Sequence, residues 1–244
     1  MKHLAIDLGN TFAKTGLFEA DKLLEIHWKL SLDDLNDYVR QVNPEQLIIS
    51  SVSYSYIEIL QLLGDQQRQI LFLNSNTPLP ITKNYDTPET LGADRLAACI
   101  GAMVLFPAQN NVVIDMGTCI TYDLIDAQDC FQGGIISPGM QMRFKAMNTF
   151  TKRLPLLNAP TEMPALIGKS TTTAMQSGVM NALIAEINGL IEQYSNDLTK
   201  INVIFCGGDA TFFANRIKYP NFVVPELVLI GLNRILDYNV RRNK

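Results

Sequence analysis

Two stretches decide how this chain reads: Ile6-Asp7-Leu8-Gly9-Asn10-Thr11 and, 108 positions later, Ile114-Asp115-Met116-Gly117-Thr118. Each closes an apolar strand on an aspartate, follows it with a glycine that permits a tight turn, and continues through small polar residues into a second apolar run. Outward from the first, His3 to Leu8, Phe12 to Phe18 and Leu23 to Leu30 read as strands. Ser31 with Asp33 and Asp34 reads as a capped helix start running to about Val42. Gln46 to Val52 and Ile70 to Leu73 are strands on either side of a helix at Tyr56 to Leu63. Asn74 to Pro88, with Pro78 and Pro80, is a loop, and a helix follows from Ala93 to Leu105. Outward from the second stretch the pattern restarts. Strands at Asn111 to Met116, Ile120 to Asp126 and Asp129 to Ile135 precede helices at Gly139 to Thr151 and Thr172 to Tyr194. A strand at Asn202 to Cys206 then leads through Gly207-Gly208-Asp209 into a helix, and Leu227 to Tyr238 is the last. The period is too long for a solenoid. It predicts two related α/β domains, residues 1–110 and 111–244, facing each other across a cleft.

Composition narrows the function. The 244 residues are 47% hydrophobic, enough for a packed core and against global disorder. A net charge of −4 argues against a nucleic-acid or anionic-membrane surface, both of which need a basic footprint. The longest apolar window, Ala97 to Phe106, is half of a membrane span, and Asp7 interrupts the amino-terminal apolar run, so neither a span nor a signal peptide is expected. Cys99, Cys119, Cys130 and Cys206 lack zinc or disulfide spacing and are expected to be buried free thiols.

Several residue groups suit chemistry. In Asp7-Leu8-Gly9-Asn10-Thr11 the turn's N–H groups suit a phosphate, with Lys14 as a nearby cation; a plain β-hairpin is the alternative. Two Asp-x-Gly turns together suit a nucleotide, each loop holding phosphates and each aspartate holding cation charge. Gly207-Gly208 offers a further close approach of backbone, or merely a strand-to-helix turn. Asp94 and Arg95 open a helix, where Arg has the wrong sign for the helix dipole. A hydroxyl-accepting Asp beside an anion-binding Arg explains the pair better than a surface ion pair. Gly133 to Gly139 demands a shaped turn, and Gly168 to Thr171 is a hydroxyl-rich helix start whose Ala174 and Gly178 keep one face small. There is no G-x-x-x-x-G-K-[ST] loop and no G-x-G-x-x-G, and with only His3 and His27, both in strands, a Ser/His/Asp hydrolase is not expected.

Taken in order, Asp7 to Thr11, Tyr85 before Pro88, Gly92-Ala93-Asp94-Arg95, Asp115 to Thr118, Gly133 to Gly139, Thr171 with Ala174, and Gly207-Gly208 make a collinear set over nearly the whole chain. This set resembles the type III pantothenate kinases. The resemblance implies two ribonuclease H-like domains of the actin-like ATPase kind, related by duplication. It implies transfer of the γ-phosphate of ATP to pantothenate, with Asp94 as general base and Tyr85, Gly92, Ala93, Asp94, Arg95 and Thr171 as the pantothenate-contacting set. Asp7, Leu8, Gly9, Asn10, Thr11, Phe12, Ala13, Lys14 and Thr118 correspond to the ATP-phosphate contacts. Asp115 corresponds to the ligand of a monovalent cation, potassium or ammonium, beside the magnesium of the nucleotide. A cytoplasmic homodimer is also implied, and the net charge adds the expectation of neither a nucleic-acid nor a membrane partner. Two other readings share the phosphate loops: a kinase for a sugar or short carboxylic acid, and a nucleotide-gated regulator. Gly92 to Arg95 separates the first, and the presence of Asp94 with Arg95 separates the second.

Overall fold

The computed structural model describes residues 2–9, 12–51, 54–63 and 69–242. Its first sheet is made by β1 (Lys2–Leu8), β2 (Ala13–Glu19), β3 (Lys22–Leu30), β4 (Gln46–Ser51) and β5 (Gln69–Phe72), in the spatial order β3-β2-β1-β4-β5. β1 runs antiparallel to β2 and parallel to β4. Alternation explains its faces. Leu4, Ile6, Leu8, Leu47 and Ile49 turn to one side and form a buried cluster with Leu35 and Val39 of α1 (Leu32–Val42) and Ile59 and Leu63 of α2 (Tyr56–Leu63). The helix start read at Ser31 is present: the Ser31 hydroxyl accepts the Asp34 N–H at 3.1 Å, and Asn43 ends α1 in the left-handed conformation.

The second half repeats this plan. After β6 (Thr82–Lys83), a 3₁₀ turn at Pro88–Thr90 and α3 (Ala93–Leu105) come β7 (Asn110–Met116), β8 (Cys119–Ile125) and β9 (Cys130–Pro138). Then follow α4 (Met140–Phe150), α5 (Thr171–Asp197), β10 (Ile201–Cys206), α6 (Ala210–Ala214), β11 (Phe222–Val223) and α7 (Leu227–Arg242). The sheet order is β11-β10-β7-β8-β9-β6. Without β6 this is the order of the first sheet again, with β7 in the place of β1 and β10 in that of β4. The core repeats as well: Val112, Ile114 and Met116 stand where Leu4, Ile6 and Leu8 stand, and pack with Phe205 against Phe144, Leu183, Ile187 and Phe213. Asp7 and Asp115 therefore occupy the same register, one residue before the end of the first strand, pointing away from the apolar cluster.

The chain forms two compact units that are discontinuous in sequence: Met1–Ala108, Ile125–Gly133 and Glu226–Lys244 in one, Gln109–Leu124 and Gly134–Pro225 in the other. A single cut at 110/111 would leave α7 with the second half, whereas its packing is with α3, β1, β2 and β4. Glycine makes that packing possible. A Cβ on Gly231 would collide with the backbone of Ala97, and one on Gly101 with the carbonyl of Leu227. Asn233 of α7 also bonds His3 of β1, at 3.3 Å between its Oδ1 and the ring Nδ1. No helix among the described residues is long and apolar enough to cross a membrane. The four cysteines are free thiols, but only Cys99 and Cys206 are buried; Cys119 is exposed because it follows Thr118 out of a turn.

Candidate active site

The first Asp-Gly turn is a hairpin closed by the Gly9 N–H, which donates to the Phe12 carbonyl at 3.2 Å. Asp7 and Lys14 face each other across β1 and β2, and their charged ends lie 4.0 Å apart. A cation beside the aspartate suits this turn to anionic ligands. Of the nine residues read as phosphate contacts, Asn10 and Thr11 lie outside the described residues. Leu8 and Ala13 send their side chains into the core, so only their backbone is available to a ligand, while Phe12 is half exposed.

The second turn is tighter by one residue: the Gly117 N–H donates to the Cys119 carbonyl at 3.0 Å, leaving Thr118 exposed at the tip. Two other segments press on it. Gly139 donates its N–H to the Thr118 carbonyl at 3.0 Å, and a Cβ there would overlap the carbonyls of Gly117 and Thr118. Gly207 has φ +91°, and its Cβ would fall on the Asp115 carboxylate and 2.6 Å from Met116 backbone atoms. The Asp209 N–H donates to the Met116 carbonyl at 3.1 Å, and burial pushes the Asp209 carboxyl up. Gly207-Gly208 is thus a docked turn and not a plain connection, because only a glycine fits over Asp115.

The third group is built on the amino-terminus of α3. Gly92 is its N-cap, and the Asp94 carboxylate occupies the space a Cβ on Gly92 would take, its Oδ1 accepting the Arg95 N–H at 2.9 Å. Arg95 is 7% exposed, with its guanidinium carbon 5.8 Å from the centre of the Phe131 ring. Tyr85 meets the same ring edge-on at 5.9 Å and packs against Gly133, whose φ is +92°. The backbone sets this up: Thr82 and Lys83 pair with Cys130 and Phe131, and the Asn84 N–H donates to the Phe131 carbonyl at 2.8 Å. Tyr85 and Arg95 are therefore brought to one ring, Phe131, with Asp94 next to Arg95 at the start of α3. The sequence reading missed Phe131, along with β6 inside what reads as a proline-rich loop. Its signal was present only as an apolar residue two positions before Gly133.

The strand read as ending at Ile135 continues to Pro138, passing through Gly133-Gly134. Gly134 lies against the Tyr122 carbonyl and Asp123, where no side chain fits, so the pair lets the strand pass closely. Thr171, in the second unit, is the exposed first residue of α5, behind a capping box of Ser170 and Thr173. Ala174 and Gly178 are exposed, and the close approach in this region is made by Gly168 over the Ala174 backbone. Among the described residues no cluster of three His, Cys, Asp or Glu could cage a metal ion.

The family model for type III pantothenate kinase matches residues 3–193. A type III pantothenate kinase of Cytophaga hutchinsonii is 46% identical over 98% of this chain and 100% of its own length. One from Bacteroides fragilis is 41% identical over 97% of this chain and 98% of its own. Among solved structures, a Campylobacter jejuni protein described as a Baf family transcriptional activator superposes with a TM-score of 0.64 at 25% identity, covering 98% of this chain and 99% of its own. At 10% identity and a TM-score of 0.59, the activator of 2-hydroxyisocaproyl-CoA dehydratase from Clostridium difficile, solved with ADPNP, shares the fold over 100% of this chain and 97% of its own. The two-sheet α/β architecture is thus the duplicated ribonuclease H-like one expected of the motif set, and the chain belongs to the type III pantothenate kinase family.

Proposed function

We propose that this chain transfers the γ-phosphate of ATP to the primary hydroxyl of pantothenate, giving 4′-phosphopantothenate, the first step toward coenzyme A. Family membership makes it an ATP-dependent pantothenate kinase. The observation that supports these residue roles best is the Phe131-centred group. Its ring is met by the buried Arg95 and by Tyr85, and Asp94, next to Arg95 at the start of α3, has one oxygen bonded to the Arg95 N–H. Arg95 would pair the pantothenate carboxylate, and Tyr85, Gly92, Ala93 and Thr171 would complete its contacts. Asp94 would take the hydroxyl proton at Oδ2 as the phosphoryl group moves. Transfer through a loose transition state asks chiefly for alignment and charge neutralisation, so a positioned carboxylate suffices as base.

The residues from Asp7 to Lys14, with Thr118, would bind the ATP phosphates through turn N–H groups, hydroxyls and the Lys14 ammonium. Magnesium characteristically keeps several waters and binds through one or two carboxylates plus substrate phosphates. A site offering Asp7 without a carboxylate cage fits that habit. Asp115 lies beneath Gly207, and its carboxylate would supply a hard oxygen ligand to potassium or ammonium. When bound, these cations would offset phosphate charge. A homodimer is supported by the exposed apolar side chains of Phe150, Leu156, Leu166 and Ile167, and a cytoplasmic location by the free thiols. Residues 1–110 and 111–244 would be the two halves of the duplication, with α7 exchanged in packing.

The test is to incubate the protein with ATP, magnesium and pantothenate, in potassium or in sodium, and to follow phosphopantothenate by mass spectrometry. Product that depends on potassium supports the reaction and the role of Asp115. Phosphorylation of a hexose but not of pantothenate would overturn the assignment.

A further inference from the structure

The turn carrying Thr118 is backed by a polar network that the reaction itself does not use. Arg143, on the first turn of α4, donates Nε–H to the Pro138 carbonyl at 2.8 Å and Nη2–H to the Ser137 hydroxyl at 2.9 Å. The same Nη2 meets Glu186 Oε2 of α5 at 2.6 Å. The other oxygen of Glu186 accepts the Tyr122 hydroxyl at 3.0 Å. Burial and the Glu186 carboxylate hold the Tyr122 phenol far above its usual range, so it remains a donor. One guanidinium therefore fixes both residues that precede Gly139. Gly139 in turn donates to the Thr118 carbonyl and lies too close to Gly117 and Thr118 for any side chain. The contacts run without a gap from β8 and α5, through Arg143 and the Ser137-Pro138-Gly139 segment, to the exposed tip of the second Asp-Gly turn.

We propose that Arg143, held by Glu186, is a positioning residue for ATP: it sets Ser137-Pro138-Gly139 against the Thr118 turn and so fixes where that turn meets the phosphates. The inference rests on the reading that Thr118 contacts ATP. A planar guanidinium is required because three acceptors on two elements are met at once. A lysine ammonium at this position would keep the charge opposite Glu186 but could not hold the fork.

The test uses full-length protein and compares Arg143→Lys, Glu186→Gln and Thr118→Ala by steady-state kinetics, thermal unfolding and amide hydrogen exchange. Arg143→Lys is expected to raise the KM for ATP about tenfold, the scale of a small misplacement of a binding group. The KM for pantothenate should stay within about twofold, and exchange in the 115–119 segment and at Gly139 should quicken. Glu186→Gln, which keeps an oxygen toward Arg143, is expected to retain most of the parent's ATP affinity. If Arg143→Lys does not fold, Glu186→Ala carries the same comparison. Equal rises in both Michaelis constants would mean a merely structural role and would overturn the proposal. So would an unchanged ATP KM in Arg143→Lys while Thr118→Ala raises it; the Thr118 reading then stands alone. An unchanged ATP KM in Thr118→Ala would overturn the Thr118 reading, and with it this role for Arg143.

Discussion

Replacing Phe131 with leucine removes the ring on which Arg95 and Tyr85 converge and leaves both residues chemically intact. The Arg95 guanidinium carbon stands 5.8 Å from the ring centre, and the Tyr85 ring stands 5.9 Å away at an interplanar angle of 62°. A desolvated cation over an aromatic face is worth up to about 2 kcal/mol, but 5.8 Å is near the outer limit of the effect, so about 1 kcal/mol is reasonable here. An edge-to-face pair adds about 1 kcal/mol. If all of this orients the pantothenate contacts, the loss of about 2 kcal/mol is about thirtyfold in affinity at 1.4 kcal/mol per tenfold. Part of it will be lost as fold stability instead, which puts the expected rise in pantothenate KM at about tenfold. The cavity left at a fully buried site should cost a further 1–2 kcal/mol or so, lowering Tm by roughly 3–8 °C. The assay is initial-rate phosphorylation with each substrate varied in turn, beside a thermal melt. The ATP KM should not move, and in an Arg95→Met background Phe131→Leu should add little. A fall in Tm with the pantothenate KM unchanged would refute the reasoning, since Phe131 would then be packing alone.

Three further outcomes follow from the same geometry. Asp94→Asn should lower kcat by about 10²- to 10⁴-fold with Tm retained, and an unchanged rate in the folded variant would remove Asp94 from the mechanism. Thr118→Ala should raise the KM for ATP by about tenfold while leaving pantothenate alone, the size expected for one charge-assisted hydrogen bond; the reverse pattern in the same kinetics would exchange the two substrate assignments. Gly231→Ala should cost about 2–4 kcal/mol, because its Cβ would meet the Ala97 backbone and the α3–α7 crossing would have to open. A thermal melt within 2 °C or so of the parent would show that the crossing yields easily.

What the sequence made legible was whatever repeats or alternates. The two Asp-Gly turns, the strand run after each, and the helix at Ala93–Leu105 follow from hydrophobic period and turn residues, which are local signals. The same period carries the equivalence of Leu4, Ile6 and Leu8 with Val112, Ile114 and Met116. Three features were not legible. β6 and β11 are two residues each and exist because a neighbouring strand edge takes them, which no local pattern announces. The placement of α7 against α3 depends on two glycines, Gly101 and Gly231, that inside a helix read only as weak points. Phe131 is one apolar residue in an apolar strand; its importance comes from Arg95, 36 positions earlier, and Tyr85, both of which it meets only in the folded chain. Of the candidate site, the sequence supplies the polar residues as expectations, while Phe131, which meets Arg95 and Tyr85, shows only in the fold.

The two aspartates occupy the same register in the two halves and are held in different ways, which motivates different cation roles for them. Asp7 has the Lys14 ammonium 4.0 Å away across the hairpin, so added positive charge is partly supplied by the protein. Asp115 instead sits under Gly207, whose Cβ would fall on its carboxylate, in a turn pressed by Gly139. Lys14 supplies part of the countercharge at Asp7, so the two carboxylates, proposed above for different cations, are told apart by replacing each in turn. Asp115→Asn should therefore raise the potassium concentration needed for half-maximal rate by about tenfold or more, the loss of one carboxylate from a hard-cation site, and leave the magnesium titration in place. Asp7→Asn should do the converse, shifting the magnesium dependence through the nucleotide and sparing potassium. Titrating each salt at saturating levels of the other reads both effects separately. If the two variants shift the same titration, the division of cation roles between Asp7 and Asp115 is wrong.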